Sequence, residues 1–419
     1  MLFTITMKFD CAHGMKNQLV KGLLVAALML VMSAPVPAQD YPTQRLRQYA
    51  ASARLWLADT VRVRESVDMN PHFLDPIFSW SEITIRAFSE HWNNISKSWQ
   101  QRLQAGVRKM LIRRFTDFLL RNRSLSAEKS LRWGDETVRD QRAQVSADLL
   151  TDQDIVNLSI RLIWEDDGWK IYDIRTEQFT FRKKFFPDIR ELMDENFSLE
   201  YVYAHITEDT VLIIDNFDQG IAGDFPSGWG WRKKDDSEIS RDGKKYHIAA
   251  SREQNYLTSN SKGQRIPLVR PFSYNIQEYP YLSWRWRLAV GNQNGGKDHS
   301  DDLNGASVTV IYYQNWLGIP VSVTYLWSPD AIQCSTLDHS TWLVKNHTIV
   351  LRTEQDTLWH TETVNPFEDY YRLYGETPTV QIIGLYIQTI SAGSSITVRA
   401  DYDDLAASKI FEYVSCRKK

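Results

Sequence analysis

Cysteine is scarce in this chain, three in 419 residues, and none stands in the Cys/His spacing of a zinc site. An excess of one charge is missing too. Lys and Arg number 49 against 52 Asp and Glu, a net −3 without any basic block, so nothing electrostatic favours nucleic acid. No apolar run reaches membrane-spanning length; the segment Leu23–Met32 is about half of what a bilayer requires. Catalytic signatures are absent as well: there is no Gly-x-Ser-x-Gly elbow, no His-Glu-x-x-His and no phosphate loop. The chain therefore reads as a non-enzyme before an enzyme. A glycan-cleaving pair of carboxylates, which can lie far apart in sequence, is the exception these absences leave open.

What is present points to globular structure. The hydrophobic fraction is 43% and the aromatic fraction 12%, values that argue against disorder. A chain of 419 residues exceeds one ordinary core, so two domains are expected. Residues 16–38 read as a secretory signal: Lys16 and Lys21, then Leu23–Met32, then Val36-Pro37-Ala38 as a small-residue cleavage site. Met15 directly precedes Lys16 and is the expected start of translation. No Cys stands at the cleavage point, which argues against a lipid anchor. Removal of residues 1–38 would take the net charge from −3 to −5, and the expected location is the periplasm, as a soluble protein. Cys11 leaves with the leader. Cys334 and Cys416 remain, either as a disulfide in an oxidising compartment or as two small buried hydrophobes.

In the first half, residues 43–66 suggest an entry helix with Leu46, Tyr49, Ala50 and Ala53 on one face. Trp80 to Leu120 then reads as two amphipathic helices. Ile83, Ala87, Phe88 and Trp92 are spaced along the first; Trp99, Leu103, Val107, Met110, Leu111, Phe115 and Phe118 along the second. Ser79 with Glu82, and Ser98 with Gln101, fit capping boxes, and Asn93-Asn94 supply the break. Beyond Asn122 the period becomes two. Val156, Leu158, Ile160, Leu162 and Trp164 make a half-buried strand, Glu165–Gly168 a hairpin turn, and Trp169 to Ile174 the return, with residues 138–149 pairing on the other side. Helices on an antiparallel sheet form an α+β domain. A helix from Phe185 to Ile206 is expected to end it.

The order Ala87, Phe88, Trp92, Leu103, Val107, Met110, Leu111, Phe115, Leu119, Leu120 resembles, without a gap, the helical signature of the MlaC family of periplasmic phospholipid carriers. Ser89 stands where that family prefers Gly, and Leu103 and Val107 where it prefers Phe. Gly168-Trp169-Lys170-Ile171-Tyr172-Asp173-Ile174, followed by Glu177 and Phe185, is similar to a later strand of the same family, with Gln178 in place of a Gly. The resemblance covers most of residues 77–190. It implies a carrier of phospholipid or a similar lipid that works with an envelope membrane complex, an ABC transporter or an outer-membrane component. Each methylene of a lipid favours an apolar site by about 0.8 kcal/mol, so a carrier needs a gap between sheet and helices. The expected walls are Phe88, Trp92, Leu103, Val107, Met110, Leu111 and Phe115, with Leu158, Ile160 and Leu162 opposite. Each of these residues also fits a plain packed core.

From Val211 the texture changes to short β-rich runs: Val211–Phe217, Lys245–Ser251, Tyr281–Val290, Ala306–Tyr313, Val321–Trp327, Val344–Leu351, Val380–Thr389 and Ile396–Tyr402. One short helix is expected at Pro366–Tyr374, and the whole suggests an all-β sandwich or jelly roll over residues 209–419, after a first domain at 39–208. Asp215-Asn216-Phe217, Pro226-x-Gly228-Trp229, Tyr279 to Trp286, Tyr325-x-Trp327-Ser328 and Trp359-x-Thr361-Glu362 resemble an uncharacterised family of exported bacterial domains, loosely galactose-binding-like. Thr389-Ile390-Ser391-Ala392 stands where that family tends to carry an acidic stretch.

Two features of the second half bear on binding. Leu282, Trp284, Trp286 and Leu288 point one way, as sheet core, while Arg285 and Arg287 point the other, as a solvated or an anion-binding face. The loop from Gly295 to Asn304 is rich in oxygen donors, and Asp298, Asp301, Asp302 and Asn304 suit calcium in type but lack the EF-hand pattern. An exposed polar loop is the plainer reading, and no other cofactor is expected. The leading expectation is thus a periplasmic lipid carrier with a sandwich that docks a partner or a glycan. The alternative is a glycan-binding or glycan-active protein whose first domain is a scaffold.

Overall fold

The computed structural model describes residues 41–57, 74–121, 131–150, 155–166, 168–177, 180, 186–231, 245–251, 254–291, 303–342, 344–392, 396–410 and 414–416. Residues 16–38, expected to be a secretory signal, lie outside them. So do Asp298, Asp301 and Asp302 of the oxygen-rich loop and the side chains of Ala50, Ala53, Phe115 and Phe118. Two compact units divide between Glu195 and Asn196.

The first unit carries helices α1 (Pro42–Leu57), α2 (Trp80–Phe88), α3 (Lys97–Arg121) and α4 (Pro187–Asp194). Its antiparallel sheet runs in the order β1 (Leu131–Arg139), β2 (Arg142–Leu150), β3 (Ile155–Glu165), β4 (Gly168–Arg175). Alternation decides which face of the sheet is wet. Val145 pairs with Ile160 and Ala147 with Leu158, and all four are buried. A short parallel bridge ties α2 to the sheet: Ser79 N donates to Ile171 O at 2.9 Å, and Ile171 N donates to Ile77 O at 2.6 Å. Ser79 Oγ caps α2 by accepting Glu82 N at 3.1 Å. Glu82 does not return the bond, because its carboxylate is held by Arg86 and Arg142, so half of the expected capping box forms. Helix α3 starts earlier than expected. Ser96, and not Ser98, faces its first turn, with Trp99 N 3.5 Å from Ser96 Oγ, and the preceding break is a 3₁₀ turn over Ser89–Asn94.

The helix expected from Phe185 to Ile206 is two helices, α4 and α5 (Leu199–Thr207). Asn196, with φ 58°, separates them, and Ser198 anchors the start of α5, its N and Oγ donating to Ser273 O at 3.0 and 2.7 Å. Helix α5 thus packs with the second unit.

That unit is a sandwich of two sheets. The first sheet has the order β12 (Thr336–Asp338), β13 (Lys345–Arg352), β11 (Pro320–Trp327), β10 (Gly305–Gln314), β15 (Gly384–Ile390), β8 (Arg265–Pro271). The second runs β14 (His360–Val364), β9 (Tyr281–Val290), β16 (Thr397–Ser408), β7 (Asn255–Lys262), β6 (Tyr246–Ala250), with β5 (Val211–Asp215) on the far half of β16. Trp284 and Trp286 of β9 meet Tyr325 and Trp327 of β11 at ring distances of 5.8 and 5.6 Å. All four are fully buried, so the tryptophan pair is core. Asn365 caps α6 (Pro366–Tyr374) by accepting Glu368 N at 3.0 Å, and Gly375 closes it at φ 70°. Strands β7, β8, β12 and β14 add to the eight runs that the sequence pattern marks. They are polar or irregular in pattern, and pairing rather than periodicity makes them strands. Cys334 and Cys416 form a disulfide.

Candidate functional site

In the first unit a cavity of about 690 Å³ opens between α2 and β4. Ile83, Ile85 and Phe186 give it an apolar side. Glu82, Arg86, Ser89, Tyr172, Asp173, Arg175 and Thr180 give it a polar one. The bridge between Phe78 and Ile171 joins the start of α2 to β4, and the cavity lies between those two elements.

Its charges are held in place. Glu82 accepts from Arg86 Nε and Arg142 Nη1, both at 2.8 Å, and the two guanidinium carbons lie 4.5 and 5.4 Å from the Tyr172 ring. Burial would raise the Glu82 carboxyl, but the bonds from Arg142 and Arg86 outweigh it and hold it below the usual range. Asp173 is buried and accepts from Arg175 Nε at 2.5 Å, while its Oδ1 has no partner among the described residues. Three arginines face two carboxylates, an arrangement that can take a phosphate at the rim of an apolar space.

None of the described residues expected to line a lipid site is among those that line this cavity. Phe88, Leu103, Val107, Met110, Leu111, Leu158, Ile160 and Leu162 are all buried. Trp92 is half-buried, its ring 5.8 Å from that of Phe88, and the Phe115 side chain lies outside the described residues. The cavity instead uses Glu82, Ile83, Ile85 and Arg86 of α2 and Tyr172, Asp173 and Arg175 of β4. Sequence periodicity marks what is buried from water, and it does not separate a filled interior from the wall of a void. The signal that could have found the site is the run of charged residues, Glu82, Arg86, Asp173 and Arg175, inside two otherwise apolar elements.

Of the four calcium candidates in the oxygen-rich loop, Asn304 alone is described. Its side chain is committed to the protein, donating to Asp330 Oδ2 and accepting from Ala392 N, both at 2.9 Å. Among the described residues Glu90, His91 and Asp194 come close enough to hold a cation. They are exposed or half-exposed, and Arg190 already pairs with Glu90 and Asp194. No helix among the described residues is long and apolar enough to cross a membrane.

Residues 61–208 match the family model described as MlaC protein, and residues 229–406 match that of a protein of unknown function, DUF3047. Both resemblances read from the sequence are thereby shown, and the first supports lipid binding. Among solved structures, a phospholipid-binding protein from Ralstonia solanacearum in complex with a phospholipid is 15% identical. That match covers 48% of this chain and 96% of that one, with a TM-score of 0.31. A family 12 xyloglucanase from Bacillus licheniformis is 9% identical over 48% of this chain and 93% of that one, with a TM-score of 0.26. A family 11 xylanase from Neocallimastix patriciarum is 10% identical over 67% and 100%, with a TM-score of 0.23. No curated protein is significantly similar to the chain.

Proposed function

We propose that the first unit binds phospholipid and carries it through the periplasm, with the apolar tails against Ile83, Ile85 and Phe186 and the phosphate near Arg86 and Arg175. The observation that carries this reading is the cavity between α2 and β4, within the segment matched by the MlaC model. Its volume of about 690 Å³ lies inside the range of about 300–1,000 Å³ typical of ligand pockets. The sandwich would dock an envelope partner, a membrane complex or a glycan. Support for docking comes from Trp316 and Trp342, 86% and 89% exposed on turns that lead into the adjacent strands β11 and β13.

Native mass spectrometry with lipid extraction, on protein purified from the periplasm, tests the carrier reading. A co-purifying phospholipid is expected. Protein that arrives without lipid and neither takes up nor transfers labelled phospholipid would sink it.

A further inference from the structure

The outer face of the second sheet of the sandwich carries a group of charges that the lipid reading does not use. Arg285 and Arg287 of β9 stand opposite Asp403 and Asp401 of β16 in the register of that antiparallel pair. Both carboxylates are almost completely buried. Asp401 accepts from Arg287 Nε at 2.6 Å, from Thr258 Oγ1 at 2.5 Å, and from Arg399 Nε and Nη2 at 3.4 and 3.5 Å. Asp403 accepts from Arg285 Nη2 at 2.8 Å and Gln254 Nε2 at 2.5 Å. Asp401 therefore has four donors on two oxygens, and nothing is left on it for a ligand.

The arginines are in the opposite condition. Arg287 spends its Nε on Asp401, and its guanidinium carbon lies 4.8 Å from the Trp359 ring and 5.1 Å from the Tyr256 ring. Those two rings meet edge to face at 5.5 Å. The fork is thus locked by a buried carboxylate and two aromatic rings, with its terminal nitrogens uncommitted among the described residues. Arg399 turns Nε and Nη2 to the same carboxylate and keeps Nη1. A cavity of about 200 Å³ adjoins this pair, lined by Arg287, Arg399, Asp401, Thr357, Leu288 and Ala289. Two guanidinium groups against one saturated carboxylate leave an excess of one positive charge at its wall.

We infer that this cavity is a binding site for a small oxyanion, a carboxylate or a phosphate group, held by the free guanidinium edges of Arg287 and Arg399. Asp401 is a positioning residue: it aims both forks and touches no ligand. Planar N–H pairs match the two oxygens of such a group, and a charge-assisted bond of this kind is about twice as strong as a neutral one. An isolated ammonium could not hold the same geometry, so arginine is required at both places. The site is independent of the lipid cavity, since its residues all belong to the second unit.

The test uses the full chain. Titrations with glucuronate, inorganic phosphate and uncharged glucose are followed by calorimetry and by tryptophan emission, because Trp359 stacks on Arg287. Saturable binding of glucuronate or phosphate is expected, with glucose at least about tenfold weaker, a difference of about 1.4 kcal/mol. The tighter of the two anions identifies whether the natural group is a carboxylate or a phosphate. Arg399→Gln, at a half-exposed position that leaves the fold intact, and Arg287→Lys, which keeps the charge and loses the fork, should each weaken the anion about tenfold or more. The inference is overturned if neither anion saturates, if glucose binds as well as the anions, or if both variants bind as the unaltered chain does.

Discussion

Glu278, in the connection between β8 and β9, accepts the phenol O–H of Tyr201 from α5. The same carboxylate accepts Lys409 Nζ at 2.7 Å and lies 3.7 Å from His205 Nδ1. One acidic side chain thereby fastens the helix, the β8–β9 connection and the end of β16 to one another. Burial would raise its carboxyl, but the neighbouring His205 and the bonds from Lys409 and Tyr201 outweigh that and hold it at about 2.

Because that value lies below the ordinary 4.5, the stabilisation is present above about pH 4.5 and is lost as pH falls toward 2. Glu278→Gln should lower the stability of the second unit at pH 7 by about 1–3 kcal/mol, the cost of leaving buried partners unsatisfied. Near pH 3 the difference from the unaltered chain should shrink. Denaturant midpoints at the two pH values measure it, and an equal loss at both would contradict the account.

The division at Glu195/Asn196 makes a second prediction. A fragment spanning Asn196–Lys419 keeps α5 and should unfold cooperatively. One spanning residues 208–419 loses Tyr201, which is buried and packs edge to face on Tyr279 at 6.0 Å. The shorter fragment should be less stable by about 3–5 kcal/mol, the cost of deleting one large buried aromatic. Equal midpoints for the two fragments would mean that α5 is not part of this core.

Substitutions in the first unit separate wall from core. Ile85→Trp points bulk into the cavity and should abolish lipid uptake while the melting temperature stays within a few degrees. Val107→Trp falls at a fully buried position outside that cavity's lining and should overpack it at about 1–3 kcal/mol. Lipid transfer assays beside thermal melts distinguish the two, and the reverse pattern would move the ligand to the core.

The Cys334–Cys416 bond closes a loop over a separation of 82 residues and ties the segment after β11 to the C-terminal end. Replacing both by Ser should cost about 2–4 kcal/mol. Urea titration of that variant, compared with the unaltered chain under oxidising conditions, gives the number. No change in midpoint would show that the denatured chain is already restricted there.

Much of the architecture was legible in the sequence because burial leaves a periodic trace. The alternation through Leu158, Ile160 and Leu162, the Ser79 cap, the Trp284/Trp286 core stripe and the helix at Pro366–Tyr374 are local patterns, and local backbone preference together with one-sided burial is enough to fix them. The two family resemblances rest on the same kind of trace. Tertiary structure decided the rest. That Ile83 and Ile85 wall a cavity depends on how α2 meets β4, and the bridge between Phe78 and Ile171 joins the start of that helix to the strand. The partition of α5 follows from hydrogen bonds to Ser273 and Glu278, residues far away in sequence. The oxyanion site needs Arg287, Thr357 and Arg399 from three separate segments, and only the pairing of β16 with β9 brings its two arginines to one carboxylate. A periodic pattern reports which side of an element avoids water. What meets that side, and at what distance, is a property of the assembled sheets.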